Sequence, residues 1–103
     1  MSIQLTNSNF QQEVLQSELP VIVDFWAIWC GPCKALGPTI EQISVDLAGK
    51  VKVGKVNVDD EPALANAYRI SSIPTIMLFK DGKAAGQVVG LMSKENILKR
   101  LGL

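Results

Sequence analysis

Val21-Ile22-Val23-Asp24-Phe25-Trp26-Ala27-Ile28-Trp29-Cys30-Gly31-Pro32-Cys33-Lys34 is the stretch that decides the fold. Val21 to Ala27 is rich in β-branched and aromatic residues, and it is apolar on both alternating faces except at Asp24. That pattern predicts a strand buried in the middle of a sheet. Leu36, Ile40, Ile43 and Leu47 then recur at intervals of three and four, which predicts an amphipathic helix from about Cys33 to Leu47. The two cysteines stand where strand hands over to helix.

Residues three apart on an α-helix have Cα atoms about 5 Å apart. This is inside the window for a disulfide, so Cys30 and Cys33 can pair and separate with little backbone movement. Cys30, at or just before the first turn, faces unpaired N–H groups and the positive end of the helix dipole. Both favour thiolate and lower its pKa below the ordinary value of roughly 8.5. Cys33, one turn in, is expected to be more buried and less ionised. Cys30 would then attack a substrate disulfide, and Cys33 would attack Cys30 to release the reduced product. Pro32 is tolerated because a first-turn N–H has no helical partner to lose.

Outward from this centre, Thr6-Asn7-Ser8-Asn9 offers cap residues for a short helix over Phe10, Val14 and Leu15. Pro38 lies inside the long helix and should kink it. A second strand is expected over Val51 to Val58, and Asp59-Asp60-Glu61-Pro62 is expected to cap a helix running to about Tyr68. Thr75 to Phe79, the turn Asp81-Gly82, and Ala84 to Val89 form a predicted hairpin. Ser93 to Leu101, with Ile97, Leu98 and Leu101 on one face, is a final helix. Strands alternating with helices, then a hairpin, define an α/β fold with helices on both sides of a mixed sheet.

With 103 residues, 48% of them hydrophobic, residues 1–103 are read as a single domain with its own core. Ten basic and ten acidic residues cancel. No basic cluster is available for nucleic acid or anionic lipid. Met1 to Phe10 lacks a basic segment followed by an apolar run, and Val21 to Cys30 is too short to span a bilayer, so a cytoplasmic protein is expected. Two cysteines and no histidine leave too few ligands for a structural zinc site in one chain. Only a dimer sharing two cysteine pairs would supply four. In a reducing compartment the pair is read as redox-active, with no bound cofactor.

Trp29-Cys30-Gly31-Pro32-Cys33-Lys34, after Val23-Asp24-Phe25-Trp26-Ala27, closely resembles the thioredoxin family. The resemblance covers nearly the whole chain. Pro38 matches the helix-kinking proline, Lys55-Val56-Asn57-Val58-Asp59 a strand, and Ile73-Pro74-Thr75 the loop whose proline is cis. Phe79-Lys80-Asp81-Gly82 matches the hairpin and Gly90 the glycine before the last helix. It implies a thioredoxin fold, a five-stranded mixed β-sheet flanked by four α-helices. It also implies reduction of disulfides in client proteins by a monomer that a thioredoxin reductase recharges. Ile28 and Leu91 depart from the family pattern and would enlarge the apolar rim around Cys30.

On this reading Asp24 accepts the proton of Cys33, with Lys55 as its charge partner; otherwise Asp24 is a buried acid kept by hydrogen bonds. Trp29 covers the site and meets clients, and Trp26 is the better core candidate. Gly31 and Pro32 join the client surface. So do Ile73 and Pro74, with Ile73 and Thr75 backbone groups pairing with an extended client. Gly90 admits that peptide closely, and Leu91 lies beside it. Pro62 and Asp59 to Glu61 are read as helix capping alone. An oxidase or isomerase of the same fold is disfavoured by Pro32 before the second cysteine. A binding subunit with an idle dithiol is the remaining alternative.

Overall fold

The computed structural model describes residues 2–103. It has five strands among them: β1 (Ile3–Gln4), β2 (Val21–Trp26), β3 (Lys52–Asn57), β4 (Thr75–Lys80) and β5 (Lys83–Val89). These form one sheet in the order β1-β3-β2-β4-β5. β1 and β2 run parallel to β3, while β4 is antiparallel to both β2 and β5. Helices α1 (Gly31–Asp46), α2 (Pro62–Ala67) and α3 (Lys94–Arg100), with a π-helical segment at Gln11–Leu15, complete the described fold.

Alternation along β2 divides the interior. Ile22 joins Leu36, Ile40 and Ile43 of α1, Ile76 and Leu78 of β4, and Ile97 of α3. Val21, Val23 and Phe25 point the other way, toward Phe10, Val14, Leu64 and Phe79. A fully buried Leu or Ile contributes roughly 2 kcal/mol relative to exposure, so the Leu36-Ile40-Ile43 stripe alone fixes α1 on the sheet. By the same alternation Asp24 lies on the α1 side.

The mixed architecture expected from sequence is present, with two local differences. β1 is a fifth strand that periodicity does not announce, because two residues are too short for an alternation. It is held by register with Gly54 and Lys55, and the Leu5 N–H donates to the Lys55 carbonyl at 2.8 Å. The short first helix is π-helical and has no side-chain cap; Asn9 Oδ1 instead accepts from the Thr6 N–H at 2.7 Å. Both sheet edges offer little to another strand. β1 is two residues long, and β5 is mostly exposed, begins with Lys83, and meets β4 across a register shift at Leu78/Phe79.

At the β4–β5 turn, Asp81 (φ 52°) and Gly82 (φ 79°) both take left-handed conformations, as a two-residue hairpin of matching twist requires. A Cβ on Gly82 would also lie 2.9 Å from the Leu15 carbonyl oxygen. Gly37, inside α1, has open space where its Cβ would be. The same substitution should therefore have opposite signs at the two sites. Gly82→Ala should cost about 2 kcal/mol, and Gly37→Ala should gain about 0.5–1 kcal/mol, both read from urea unfolding midpoints at constant m-value.

Candidate active site

Cys30 is the N-cap of α1, with extended backbone (φ −90°, ψ 108°). Its Sγ accepts the Cys33 N–H at 3.1 Å, so the sulfur occupies the place a capping oxygen would take. Pro32 stands in the first turn, and the Lys34 N–H reaches the Cys30 carbonyl at 3.1 Å. The two cysteines are joined in a disulfide with Cα atoms 5.2 Å apart, in accord with the spacing expected of a helical turn. The expected contrast in exposure is absent. Cys30 is 5% and Cys33 3% exposed, because both pack with Ala27 against Trp26, Val58 and Ile73.

A second loop closes on the disulfide. The Ile73–Pro74 peptide is cis, and the Ile73 carbonyl oxygen lies 3.9 Å from Cys30 Sγ. Among the described residues, neither backbone group of Ile73 has a backbone partner. Thr75 differs from expectation: it lies within β4, flanked by Phe25 and Val89, so the sheet takes up its backbone. Gly90 (φ 101°) donates its N–H to the Pro74 carbonyl at 2.9 Å. It is needed for that left-handed conformation, while the space around its missing Cβ is open. Leu91, next in the chain, is exposed.

Trp29 is 70% exposed, yet its ring is tethered: indole Nε1 donates to Asp59 Oδ2 at 2.8 Å. This corrects the capping role expected of Asp59 to Glu61. The Glu61 side chain accepts from the Asn7 N–H at 2.7 Å and does not cap α2. Asn57 does the local work, its Oδ1 accepting the N–H groups of Asp59 (2.9 Å) and Asp60 (3.2 Å). The spacing of this Asx-turn was visible in Asn57-Val58-Asp59-Asp60; the Trp29 partnership, between residues 30 apart, was not. Pro62 does stand in the first turn of α2. Trp26 is only half-buried, and Ile28 is exposed beside it, on the wall of a cleft of about 370 Å³ that Lys55, Asn57 and Asp60 also line. Ile28 thus borders this cleft, and Leu91 the Gly90–Pro74 contact.

Asp24 is 0% exposed and neither carboxyl oxygen has a hydrogen-bond partner. Lys55 is its register neighbour on β3, but the pair makes no direct ion pair. The described ion pairs are Lys52–Glu13 at 3.1 Å and Lys94–Asp46 at 2.6 Å. Burial pushes the Asp24 carboxyl from 3.8 up to about 7, against a smaller downward pull from Lys55 and a further upward push from Glu41. Glu41 is held below its ordinary value, chiefly by the Ser2 hydroxyl, and it also accepts the Ser2 N–H at 3.0 Å. No group of three or more His, Cys, Asp or Glu among the described residues could hold a metal ion, and no described helix is long and apolar enough to cross a membrane.

A reversible disulfide capping a helix, closed over by a cis-proline loop, is the equipment of a thiol–disulfide oxidoreductase whose redox group is the cysteine pair itself. The family model described as thioredoxin matches residues 1–102. The chain is 54% identical over 98 residues to a thioredoxin of Rickettsia felis, covering 95% of this chain and 93% of that one. It is 49% identical over 98 residues to thioredoxin 1 of a Nostoc species, covering 95% and 92%. Against a thioredoxin of Chlorobaculum thiosulfatiphilum it is 50% identical over 96 residues, covering 93% and 89%. This chain belongs to the thioredoxin family.

The raised Asp24 pKa bears on stability. Between about pH 4 and 7 the unfolded chain has lost this proton and the folded chain has kept it, so stability falls as pH rises through that window. The full loss is on the order of 4 kcal/mol. Asp24→Asn should remove that fall and stabilise the oxidised protein by a few kcal/mol at pH 8 while changing little at pH 4. Chemical denaturation at both pH values checks it.

Proposed function

We propose that this chain reduces disulfides in client proteins and is returned to its dithiol form by a thioredoxin reductase. The observation that supports it best is the N-cap position of Cys30, whose sulfur accepts the Cys33 N–H at 3.1 Å beside the unpartnered backbone of Ile73. Once the disulfide opens, the same N–H is placed to stabilise negative charge on the Cys30 sulfur, and the Ile73 groups offer an extended client a main-chain pairing site. A cytoplasmic monomer suits this role.

In the reduced protein the Cys30 thiolate attacks one sulfur of the client disulfide. The client S–S bond breaks, its second sulfur leaves as a thiolate that takes a proton from solvent, and Cys30 is joined to the first in a mixed disulfide. Cys33 then loses its proton to the Asp24 carboxylate and attacks Cys30 Sγ. The Cys30–client bond breaks, the client's second thiolate takes a proton from solvent, Asp24 gives its proton up to solvent, and two electrons have passed from the cysteine pair to the client. Lys55 assists by holding Asp24 toward its ionised form. Trp29, Gly31, Pro32, Ile73, Pro74, Gly90 and Leu91 form the client surface, with Asp59 holding the Trp29 ring.

The direction of electron flow is tested by the equilibrium potential of Cys30–Cys33 against a glutathione series. A reductant should lie below the cytosolic glutathione pool, roughly −220 to −320 mV depending on method; a value well above it would mean an oxidase or isomerase. Cys33→Ser should accumulate the mixed disulfide with a client on non-reducing gels, and Cys30→Ser should form none. Resolution of that intermediate should quicken as pH rises through about 7, where Asp24 ionises. Asp24→Asn should slow it by about a hundredfold or more, and equal rates for the two proteins from pH 6 to 9 would remove Asp24 from the step.

A further inference from the structure

We propose that Trp26 is a positioning residue for Lys55: its indole face holds the ammonium beside Asp24, at the edge of the cleft, where the cation tunes the buried carboxyl. Asp24 and Trp26, two residues apart on β2, share the sheet face on which α1 packs. Lys55 is the register partner of Asp24, and Asn57 that of Trp26. Lys55 therefore has a carboxyl directly across from it and an aromatic ring on the diagonal, both within reach of a long side chain.

Of these two neighbours the ring takes the ammonium. Lys55 Nζ stands 4.9 Å from the Trp26 ring centroid, inside the range of a cation–π contact, whereas neither Asp24 oxygen has a polar partner. Direct pairing would draw the ammonium into the interior and cost it its water. Over the indole it keeps one side toward the cleft, which Trp26 and Lys55 both line. The other charge acting on Asp24 is Glu41 of α1, engaged by the Ser2 N–H and hydroxyl. Lys55 from β3 is thus the cation that faces Asp24, and the ring decides where it sits. The same indole packs against the Ala27-Cys30-Cys33 cluster, so one side chain lies between that cluster and the cation that biases the acid.

Without the ring, a flexible lysine extends into water and Asp24 loses the nearby positive charge. Its pKa then rises. The opposite sign would follow if Trp26 served only to keep water from Asp24, because hydration favours the carboxylate and lowers the pKa. The consequence for catalysis rests on the proposed role of Asp24 as proton acceptor; the positioning of Lys55 does not.

The test is a carboxyl ¹³C titration of Asp24 in the oxidised 103-residue chain and in Trp26→Phe, Trp26→Leu, Lys55→Met and the Trp26→Leu/Lys55→Met double variant. Trp26→Leu should raise the Asp24 midpoint by about half a pH unit or more, and Trp26→Phe, which keeps an aromatic face, by less. In the Lys55→Met background the Trp26→Leu change should add nothing. A midpoint that falls or stays put in Trp26→Leu, or that shifts equally with Lys55 absent, overturns the proposal. The wild-type protein supplies a measurement independent of any variant's folding: Lys55 ε-methylene protons should be shifted upfield by the indole ring current, and solvent-like values overturn it as well. Following mixed-disulfide resolution in the same proteins separates the two readings. A carboxyl midpoint that moves while the resolution profile stays fixed supports Trp26 as the positioning residue and sinks Asp24 as the proton acceptor.

Discussion

The burial of β2 on both faces is the constraint from which the rest of the molecule follows. Held between β3 and β4 and covered on both sides by apolar side chains, the strand has no freedom to slip, since a one-residue shift would reverse every side chain. Its end therefore fixes where Cys30 caps α1, and the stripe on α1 fixes the direction in which the helix leaves. The Ile73–Pro74 loop arrives through β4, which pairs with the same strand. Both halves of the site are thus referenced to one rigid element, which is how a few groups are kept in register while a client is exchanged.

That constraint also explains the cost the fold accepts at Asp24. A carboxyl at the centre of a two-faced strand, with no hydrogen-bond partner, opposes folding whenever it is charged. Lys55 offsets part of this from outside the buried layer and leaves the carboxyl near neutrality in its titration. A closer ion pair would have held the acid ionised throughout the neutral range, outside the window the proposed proton transfer needs. Partial compensation leaves the group destabilising when charged and, on the proposed mechanism, able to serve as a proton acceptor.

Much of this was legible in the residues. The strand–helix handover at Val21 to Lys34, the helical stripe Leu36-Ile40-Ile43 and the Asp81-Gly82 hairpin are local patterns, and local patterns survive folding. Cys30 at the helix start, the cis Ile73–Pro74 bond and the burial of Asp24 followed from position in those patterns or from family resemblance. What was hidden depends on side chains far apart in sequence. The Trp29–Asp59 tether and the Ser2–Glu41 bonds join segments that periodicity does not relate. β1 was too short to show an alternation. The low exposure of Cys30 comes from Trp26, Val58 and Ile73 closing around it, a packing outcome that its place at a helix N-cap does not reveal.

The sheet's edges bear on a hazard that the proposed pairing with extended client segments would bring. A molecule offering main-chain groups to extended peptides risks acting as a seed, recruiting strands one after another into an aggregate. Here the unpartnered main chain of Ile73 lies in a short loop beside the disulfide, whereas β1 is cut to two residues and β5 carries lysine at its start and a register break against β4. A visiting strand can be gripped at one point but finds no rail along which to zip. Transience of contact is thereby built into the shape of the sheet.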